Sequence, residues 1–241
     1  DQRGFTELLG VDHGPRAFPD AGVFVLAAGD DHVIVDCGPV GLAGRGGHGH
    51  NDCLSFEAVL AGQRLISDCG SYVYTSDPEQ RNAFRATAAH NTPRVDAVEL
   101  NRIPASLWAL EDDARPEALL VEDLRFRGSH TGYLRLPDPV RPVRTIELDP
   151  ARHALLVHDE FEAAGRHEIE IPYHVEPGLI VTRGEDTVAL GRFVLRWEGE
   201  WRCDVEDAFV SPSYGVRLET RRIVFRRSGP VAPLRVTIAP A

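Results

Sequence analysis

The sequence predicts an all-β fold, a large antiparallel β-sandwich of the supersandwich-like kind with at most one or two short helices. Short apolar segments bounded by Gly, Pro, Asp and Asn recur throughout the 241 residues, as is typical of antiparallel strands joined by tight turns. Helical periodicity is confined to one short segment. Because no internal repeat, low-complexity tract or long linker divides the chain, we expect a single domain over residues 1–241.

The predicted strands follow one another at the spacing of a sandwich. The one helix is predicted at residues 78–88, where Asp77 supplies an N-cap, Pro78 suits the first turn and Glu79 suits the positive amino end. It would carry the chain from Asp68 towards His90. The strands are predicted at residues 22–27, 32–36, 54–60, 64–67, 94–98, 106–110, 118–127, 133–136, 143–148, 154–160, 167–175, 187–190, 193–198, 216–225 and 234–238.

Composition excludes several classes of protein. Hydrophobic residues make up 43% of the chain, which is enough for a substantial core, and the formal net charge is -11. Nucleic acids and anionic membranes recruit clustered cations, so neither is expected as a partner. All 26 basic residues are Arg, a side chain that binds carboxylates and sulfates with two parallel hydrogen bonds.

Met is absent, so we expect that the chain begins inside a longer polypeptide or after processing, as an excised domain. No apolar stretch approaches the roughly 18 residues of a membrane span, and no signal peptide is visible at Asp1. The four cysteines form no CxxC pair, and buried free thiols are expected. A disulfide between Cys53 and Cys69 stays open as an alternative.

A compact polar cluster, GGHGHND at residues 46–52, follows a glycine-rich turn and precedes an apolar run. In extended backbone His48 and His50 would lie on one face, because strand side chains alternate with a period of two. Asp68 ends a second apolar run, and His90 follows the predicted helix, so both could converge on the cluster. Two His and one Asp suit a borderline metal such as zinc.

Three segments together carry a family resemblance: GGHGHND at 46–52, DCGSYVY at 68–74 and RNAFRATAAHNT at 81–92. Weaker support comes from FPDAGVF at 18–24, HTGY at 130–133 and SYG at 213–215. The chain resembles the carboxy-terminal β-sandwich domain of the heparinase II/III-like polysaccharide lyases. It departs mildly from their pattern, with Cys69 where Pro is more usual and Ser71 where Thr is common.

The resemblance implies a domain that joins an amino-terminal α/α toroid, absent from this chain, and binds an acidic polysaccharide in the cleft between the two. Such enzymes cleave uronic-acid glycans by β-elimination, which needs a base, an acid and a stabiliser of the enediolate. Their glycan substrates lie in the periplasm or outside the cell. The resemblance implies that His48 is catalytic, that Tyr72 or Tyr74 lines the cleft, and that one Zn²⁺ is held by His50, Asp68 and His90. The family's catalytic tyrosine belongs to the toroid; within this chain Tyr74 is our second catalytic candidate and Tyr72 our candidate for substrate binding.

The metal would pin the glycine-rich turn and place His48. The residues also allow simpler interpretations: a hydrogen-bonded His/Asp network without metal, a His48 that only orients the turn, and ordinary packing of Tyr72 and Tyr74. Asn51 and Asp52 would bind substrate or cap the turn. Arg81 and Arg85 share a helix face, and Arg85 is our candidate for binding the acidic glycan, although a solvated face is the simpler expectation for both.

Two other functions stay open at this point. A cupin-type metalloenzyme also carries His-x-His on a glycine-rich strand, but it needs a glutamate three or four residues later, where this chain has Leu54 and Ser55 and reaches Glu57 only afterwards. A non-catalytic carbohydrate-binding or structural module stabilised by metal is the second. The sandwich alone lacks the toroid's catalytic groups, so we expect it to be inactive without that domain.

Overall fold

The computed structural model describes residues 14–41 and 44–241, and the part of the chain within these ranges forms three antiparallel sheets and one α-helix. The predicted all-β fold class is confirmed. The first sheet has the order β1-β2-β3-β4-β5 and carries the site. Its strands are β1 (Arg16–Phe18), β2 (Val23–Ala28), β3 (Asp31–Asp36), β4 (Phe56–Leu60) and β5 (Gln63–Ile66).

The second sheet is the largest, with eight strands in the order β12-β13-β14-β17-β10-β9-β8-β7. Its alternating burial leaves one face against the core. The strands are β7 (Pro116–Glu122), β8 (Arg125–His130), β9 (Arg141–Asp149), β10 (Ala154–Glu162), β12 (Val181–Arg183), β13 (Thr187–Leu190), β14 (Phe193–Glu198) and β17 (Leu234–Pro240).

The third sheet has four strands in the order β15-β16-β11-β6. They are β6 (Arg94–Val95), β11 (Arg166–His174), β15 (Arg202–Ser213) and β16 (Val216–Pro230). The apolar faces of the sheets meet in one core cluster that includes Phe56, Phe126, Tyr173 and Phe225, each almost wholly buried. Removing so much apolar surface from water is the main stabilising contribution to the fold.

Helix α1 (Pro78–Phe84) begins as predicted, since the Asp77 carboxylate accepts a hydrogen bond from the backbone N–H of Gln80 at 3.0 Å. It ends at Phe84 rather than at residue 88. The Glu99 carboxylate accepts hydrogen bonds from the backbone N–H and the hydroxyl of Thr87. These bonds favour a short 3-10 turn, Thr87–Ala89, in place of further α-helix.

Two predicted strands, at 106–110 and 133–136, are turns instead. Tyr133 and Thr131 accept backbone hydrogen bonds from residues three positions on, as in a turn. The predicted strand at 118–127 is a hairpin, β7 and β8, whose two strands meet at residues 123–124. Three strands of the described residues were not predicted: β1, β12 and β15.

The sequence did not predict β15 because acidic residues interrupt the alternation of apolar and polar side chains. In the structure these acids form cross-strand ion pairs with β16, where Arg226 contacts Asp204 and Glu206, and Arg222 contacts Glu206. Oppositely charged neighbours across an antiparallel pair stabilise the sheet. No helix within 14–41 and 44–241 combines the length and apolar character that crossing a bilayer requires.

Candidate active and metal site

The glycine-rich turn presses directly against the loop that follows β6. Gly46 has φ +56°, and a Cβ added there would lie 2.5 Å from the Leu110 Cβ. The Leu110 N–H donates to the Arg45 carbonyl at 2.9 Å. A residue with a side chain would need both a strained backbone and a shifted neighbour, so glycine permits this close approach.

Helix α1 and Arg85, the residue that follows it, hold the glycine-rich turn in place. The Arg81 guanidinium donates to the Gly47 carbonyl at 2.8 Å, and the Asn51 N–H donates to the Arg85 carbonyl at 2.9 Å. Both Arg side chains are buried, at 3% and 0% exposed. The solvated face expected for Arg81 and Arg85 is therefore wrong, because their guanidinium groups donate to loop carbonyls inside the protein.

His48 lies exposed at the tip of this turn. Its ring meets the rings of Tyr74 and Trp108 edge-on, each with a centroid distance of 5.6 Å. The backbone around His48 and His50 is not a strand, and the two imidazoles have different neighbours. His50 instead faces His90, with ring centroids 5.1 Å apart. The chain thus presents one imidazole to solvent and turns the other inward.

Of the three predicted metal ligands, His50 and Asp68 each contact His90, but no group of mutually close ligand atoms among the described residues includes both of them. His90 Nδ1 lies 2.7 Å from Asp68 Oδ2, and His90 stacks obliquely against His50. Two further donors, Asp52 and Cys69, lie beside them and were not predicted as ligands. His50, Asp52 and His90 each bring one ligand atom to within 4.8 Å of the others, and so do Asp68, Cys69 and His90. His90 belongs to both sets and is the centre of the cluster.

Burial and charge act in opposite directions on the central pair. Burial alone would raise the pKa of Asp68, but His90 and the Gly70 N–H lower it overall. Burial alone would lower the pKa of His90, whereas Cys69 and Asp68 raise it well above 6.5. We attribute that rise to Asp68, because burial raises the pKa of the Cys69 thiol to about 11 and keeps it uncharged at neutral pH. In the absence of a cation the pair therefore favours an imidazolium and a carboxylate, and a cation that binds His90 must displace one imidazolium proton.

The residues fit a divalent cation. A cavity of about 190 Å³ beside the cluster is lined by four carboxyl groups, those of Asp36, Asp52, Glu57 and Asp68. Burial and the neighbouring Asp52 raise the pKa of Asp36 to about 7, and burial raises that of Asp52. Burial also lowers the pKa of His50 to about 3, which leaves its nitrogen lone pair free at neutral pH. Neutral imidazole and carboxylate are the N and O donors that zinc accepts.

Cys69 is the least available donor of the cluster. Its thiol donates to the carbonyls of Gly70 and Phe84, each at 3.2 Å. Its segment is tied to β15, because the Ser211 N–H donates to the Cys69 carbonyl at 2.7 Å. All four cysteines are buried and free, as predicted, and Cys53 is not joined to Cys69.

The predicted substrate-binding residues lie at different depths. Asn51 is buried, and its amide donates to Glu99 at 2.7 Å and to the Asn101 carbonyl at 2.9 Å. Arg85 is also buried and donates to the Ala109 carbonyl at 2.8 Å. Both side chains thus join loops together inside the domain, and neither offers a surface to a glycan here.

Tyr72 and Tyr74 do not alternate along a strand. Tyr72 has φ +50° and the segment around it is irregular. Tyr72 packs on Phe84, with ring centroids 5.2 Å apart. Tyr74 instead faces His48 and the exposed Trp108. The alternation of Tyr72 and Tyr74 with Val73 in the sequence predicts one shared strand face, but no strand forms there, and Tyr74 is the tyrosine beside the exposed imidazole.

The sequence and the fold of this chain are similar to those of known proteins. Residues 11–237 of the sequence match the family described as Heparinase II/III-like, C-terminal. The chain belongs to this family. A curated relative, a heparin-sulfate lyase of Bacteroides stercoris, is 24% identical to this chain over 204 residues. The match covers 78% of this chain and 28% of that protein.

Solved structures show the same fold. A heparinase III superposes with a TM-score of 0.74 at 20% identity, covering 99% of this chain and 40% of that one. The heparan sulfate lyase HepC from Pedobacter heparinus superposes with a TM-score of 0.71 at 15% identity, again covering 99% and 40%. The Heparinase II/III-like C-terminal chain thus spans less than half the length of these relatives. No cupin-like closed sheet occurs among the described strands, whose three sheets are all open.

Proposed function

We propose that this chain is the β-sandwich domain of a polysaccharide lyase that cleaves uronic-acid-containing glycans by β-elimination. The observation that carries the proposal is the exposed His48, which lies edge-on to Tyr74 and Trp108 and two residues from the half-buried His50 that contacts the buried His90. The family match and the lyases among the relatives support the reaction class. A heparin-like or heparan-like glycan is the first substrate to test, because those relatives are named for it.

In this reaction a base removes the proton α to the uronate carboxylate, and an acid protonates the leaving oxygen. The His48 imidazole has two ring nitrogens that can donate or accept a proton, and it is exposed where a sugar can reach it. The Tyr74 phenol lies in the same aromatic group and offers an O–H donor or acceptor. We assign the proton transfers of this domain to these two side chains, with Tyr72 at the border of the cleft.

The test is the initial rate of unsaturated-uronate formation, followed by ultraviolet absorbance, in the full-length protein that contains this chain. His48→Ala should lower kcat by about 100-fold or more, the usual contribution of a general acid or base. His158→Ala, at a half-buried position on β10, is the matched control and should keep the parent rate. A His48→Ala protein with unchanged kcat would overturn the assignment.

We further propose that the cluster holds one Zn²⁺ through His50, Asp68 and His90, with His90 as the ligand common to the two groups of close donor atoms and Asp52 as an additional oxygen donor. When bound, the ion would act as a structural cross-link whose charge neutralises the surrounding carboxylates. It would fix the turn that carries His48, since His50 lies two residues from it. The alternative that stays open is the hydrogen-bonded His90/Asp68 pair without metal.

Metal content measured by mass spectrometry, on protein purified without added metals, separates the two. About one zinc per chain is expected in the parent and in His158→Ala. His50→Ala and His90→Ala should lose it while their circular dichroism stays that of a β-protein. A folded parent that takes up no zinc on titration would contradict the site, and iron in its place would contradict the choice of metal.

We propose two properties of the whole protein. First, the chain is inactive without an amino-terminal toroid domain, because it spans only 28% to 40% of its relatives. Activity of the isolated 241-residue chain on uronate polymers would contradict this. Second, the protein acts in the periplasm or outside the cell, where polymeric substrates lie. Recovery of the full-length protein in the cytoplasmic fraction of its host would contradict the second.

A further inference from the structure

We propose that Trp108, Tyr74 and Tyr214 form a sugar-stacking subsite, here called the aromatic platform, which binds the C–H face of one pyranose ring of the glycan beside His48. The inference rests on the proposed function and adds a ligand contact that the sequence did not predict. Trp108 lies in a segment predicted to be a strand, and Tyr214 entered only as part of a weak motif.

The three rings lie almost parallel. Tyr74 is in the middle, 5.8 Å from Trp108 with 9° between the planes and 6.1 Å from Tyr214 with 10° between the planes. The two outer rings are well exposed, Trp108 at 48% and Tyr214 at 64%. The rings are stacked on one another, and a group of large exposed aromatic rings commonly marks a binding surface.

The aromatic platform is held by specific contacts of three separate segments. Arg85 donates to the Ala109 carbonyl, next to Trp108, at 2.8 Å. The Gly215 N–H, next to Tyr214, donates to the Tyr72 carbonyl at 2.7 Å. The platform is therefore positioned in advance, as a binding site on a rigid scaffold should be.

A buried cation lies against the rings. The Arg81 Cζ is 5.0 Å from the ring centroids of both Tyr74 and Trp108. Arg81 is only 3% exposed, and its Nε has no hydrogen-bond partner within the described structure. The chain carries a net charge of -11, so an acidic polymer is repelled overall. A guanidinium behind the platform supplies local positive charge where the rings meet the ligand.

This combination suits a pyranose ring better than a peptide or a lipid. A pyranose presents a flat face of C–H groups to an aromatic ring while its hydroxyl, sulfate and carboxylate groups point sideways. Stacking would fix the plane of one sugar, and His48 lies 5.6 Å from the rings of both Tyr74 and Trp108. The platform would therefore set the position of the uronate relative to the imidazole without selecting a sulfation pattern.

Indole N–H resonances in ¹⁵N NMR spectra of the 241-residue chain test this directly, with a uronate-containing tetrasaccharide as the probe. The chain has three Trp, and Trp108→Phe identifies the resonance of Trp108 by its loss. We expect that resonance to move on titration while those of Trp197 and Trp201 stay, and Trp108→Ala to weaken binding by about tenfold, the effect of losing one ring contact. Phe18→Ala, at a 52% exposed ring on the edge strand β1, should bind as the parent does.

The outcomes separate the aromatic platform from the proposed function. Unchanged affinity in Trp108→Ala, with the parent still binding the tetrasaccharide, would overturn the platform and leave the lyase proposal standing. A parent that binds no tetrasaccharide would overturn the platform as well. If Trp108→Ala lowers the melting temperature of the full-length protein but not its affinity, the rings contact the remaining polypeptide instead, which also overturns the proposal. Loss of binding in Trp108→Ala alongside a full-length protein without lyase activity would uphold the platform and refute the lyase.

Discussion

A buried ion pair ties the largest sheet to the loops of the site, and its removal gives the sharpest test of the packing. The Arg144 guanidinium on β9 contacts both carboxylate oxygens of Asp159 on β10, at 2.7 and 2.9 Å. It also donates to the Leu54 carbonyl at 2.7 Å and to the Asn91 carbonyl. Asn91 follows His90 directly, so this one side chain connects the second sheet to the segment that carries the cluster.

The side chains of Arg144 and Asp159 are 0% and 2% exposed. Arg144→Met keeps an apolar stem but removes the guanidinium group, which leaves the Asp159 carboxylate buried without this partner. Removing one partner of such a pair costs about 3 to 5 kcal/mol. A domain of ordinary stability has about 5 to 15 kcal/mol in total, so this variant should lose a substantial part of its free energy of unfolding.

The assay is urea unfolding, followed by circular dichroism and tryptophan fluorescence, of the parent, Arg144→Met, Asp159→Leu and the double variant. The double variant removes both charges, so it should be more stable than Arg144→Met by about 2 kcal/mol, although two carbonyls still lack a donor. Arg141→Met is the matched control, because Arg141 on the same strand pairs with the exposed Glu117. It should cost about 1 kcal/mol or less. Equal losses in Arg144→Met and Arg141→Met, or strictly additive losses in the double variant, would refute the reasoning.

Three further predictions follow from single contacts. Gly46→Ala should lower the free energy of unfolding by about 1 to 3 kcal/mol and should lower lyase activity. Gly29→Ala is the control, since φ is +59° there but nothing lies within 4 Å of the added Cβ. Equal losses of stability and activity in the two variants would contradict the close packing of Gly46. Asp77→Ala should cost about 1 kcal/mol through loss of the helix cap, measured by thermal unfolding, and an unchanged melting temperature would count against the cap. Burial lowers the pKa of His130 from 6.5 to about 3, so the unfolded chain binds the proton more readily and stability falls as pH drops from 6.5 towards 3, by up to about 1.4 kcal/mol per pH unit. His130→Gln should remove that part of the slope in urea titrations at several pH values, and an identical slope would show that His130 is not held neutral.

Local signals in the sequence were enough for the helix start, whereas the central cluster was predicted from the family resemblance. Asp77 sits immediately before Pro78, and this pattern reports an N-cap without knowledge of the rest of the fold. In the structure His50 and Asp68 each contact His90. Their convergence was implied by the family resemblance, since no spacing rule relates positions so far apart in the chain.

Tertiary contacts decided the features that the sequence did not predict. The segment at 106–110 alternates as a strand does, but the guanidinium of Arg85 holds it as a loop and so exposes Trp108. The alternation around Tyr72 likewise gave no sign of its positive φ. Asp52 was placed with substrate or turn groups, whereas its carboxylate lies with His50 and His90. A signal existed there, because Asp52 is two residues from His50, yet the inward direction of its side chain depends on the fold.

The mass of the reaction product tests the central claim, β-elimination on a uronate glycan, most directly. Full-length protein containing this chain would be incubated with a heparan-type polymer in ordinary water, and the fragments would be measured by mass spectrometry. Elimination predicts new non-reducing ends that are lighter by one water molecule than those of hydrolysis, and no such fragments with His48→Ala. Fragments with saturated ends would contradict the lyase assignment, as would intact polymer after incubation with the zinc-loaded parent protein.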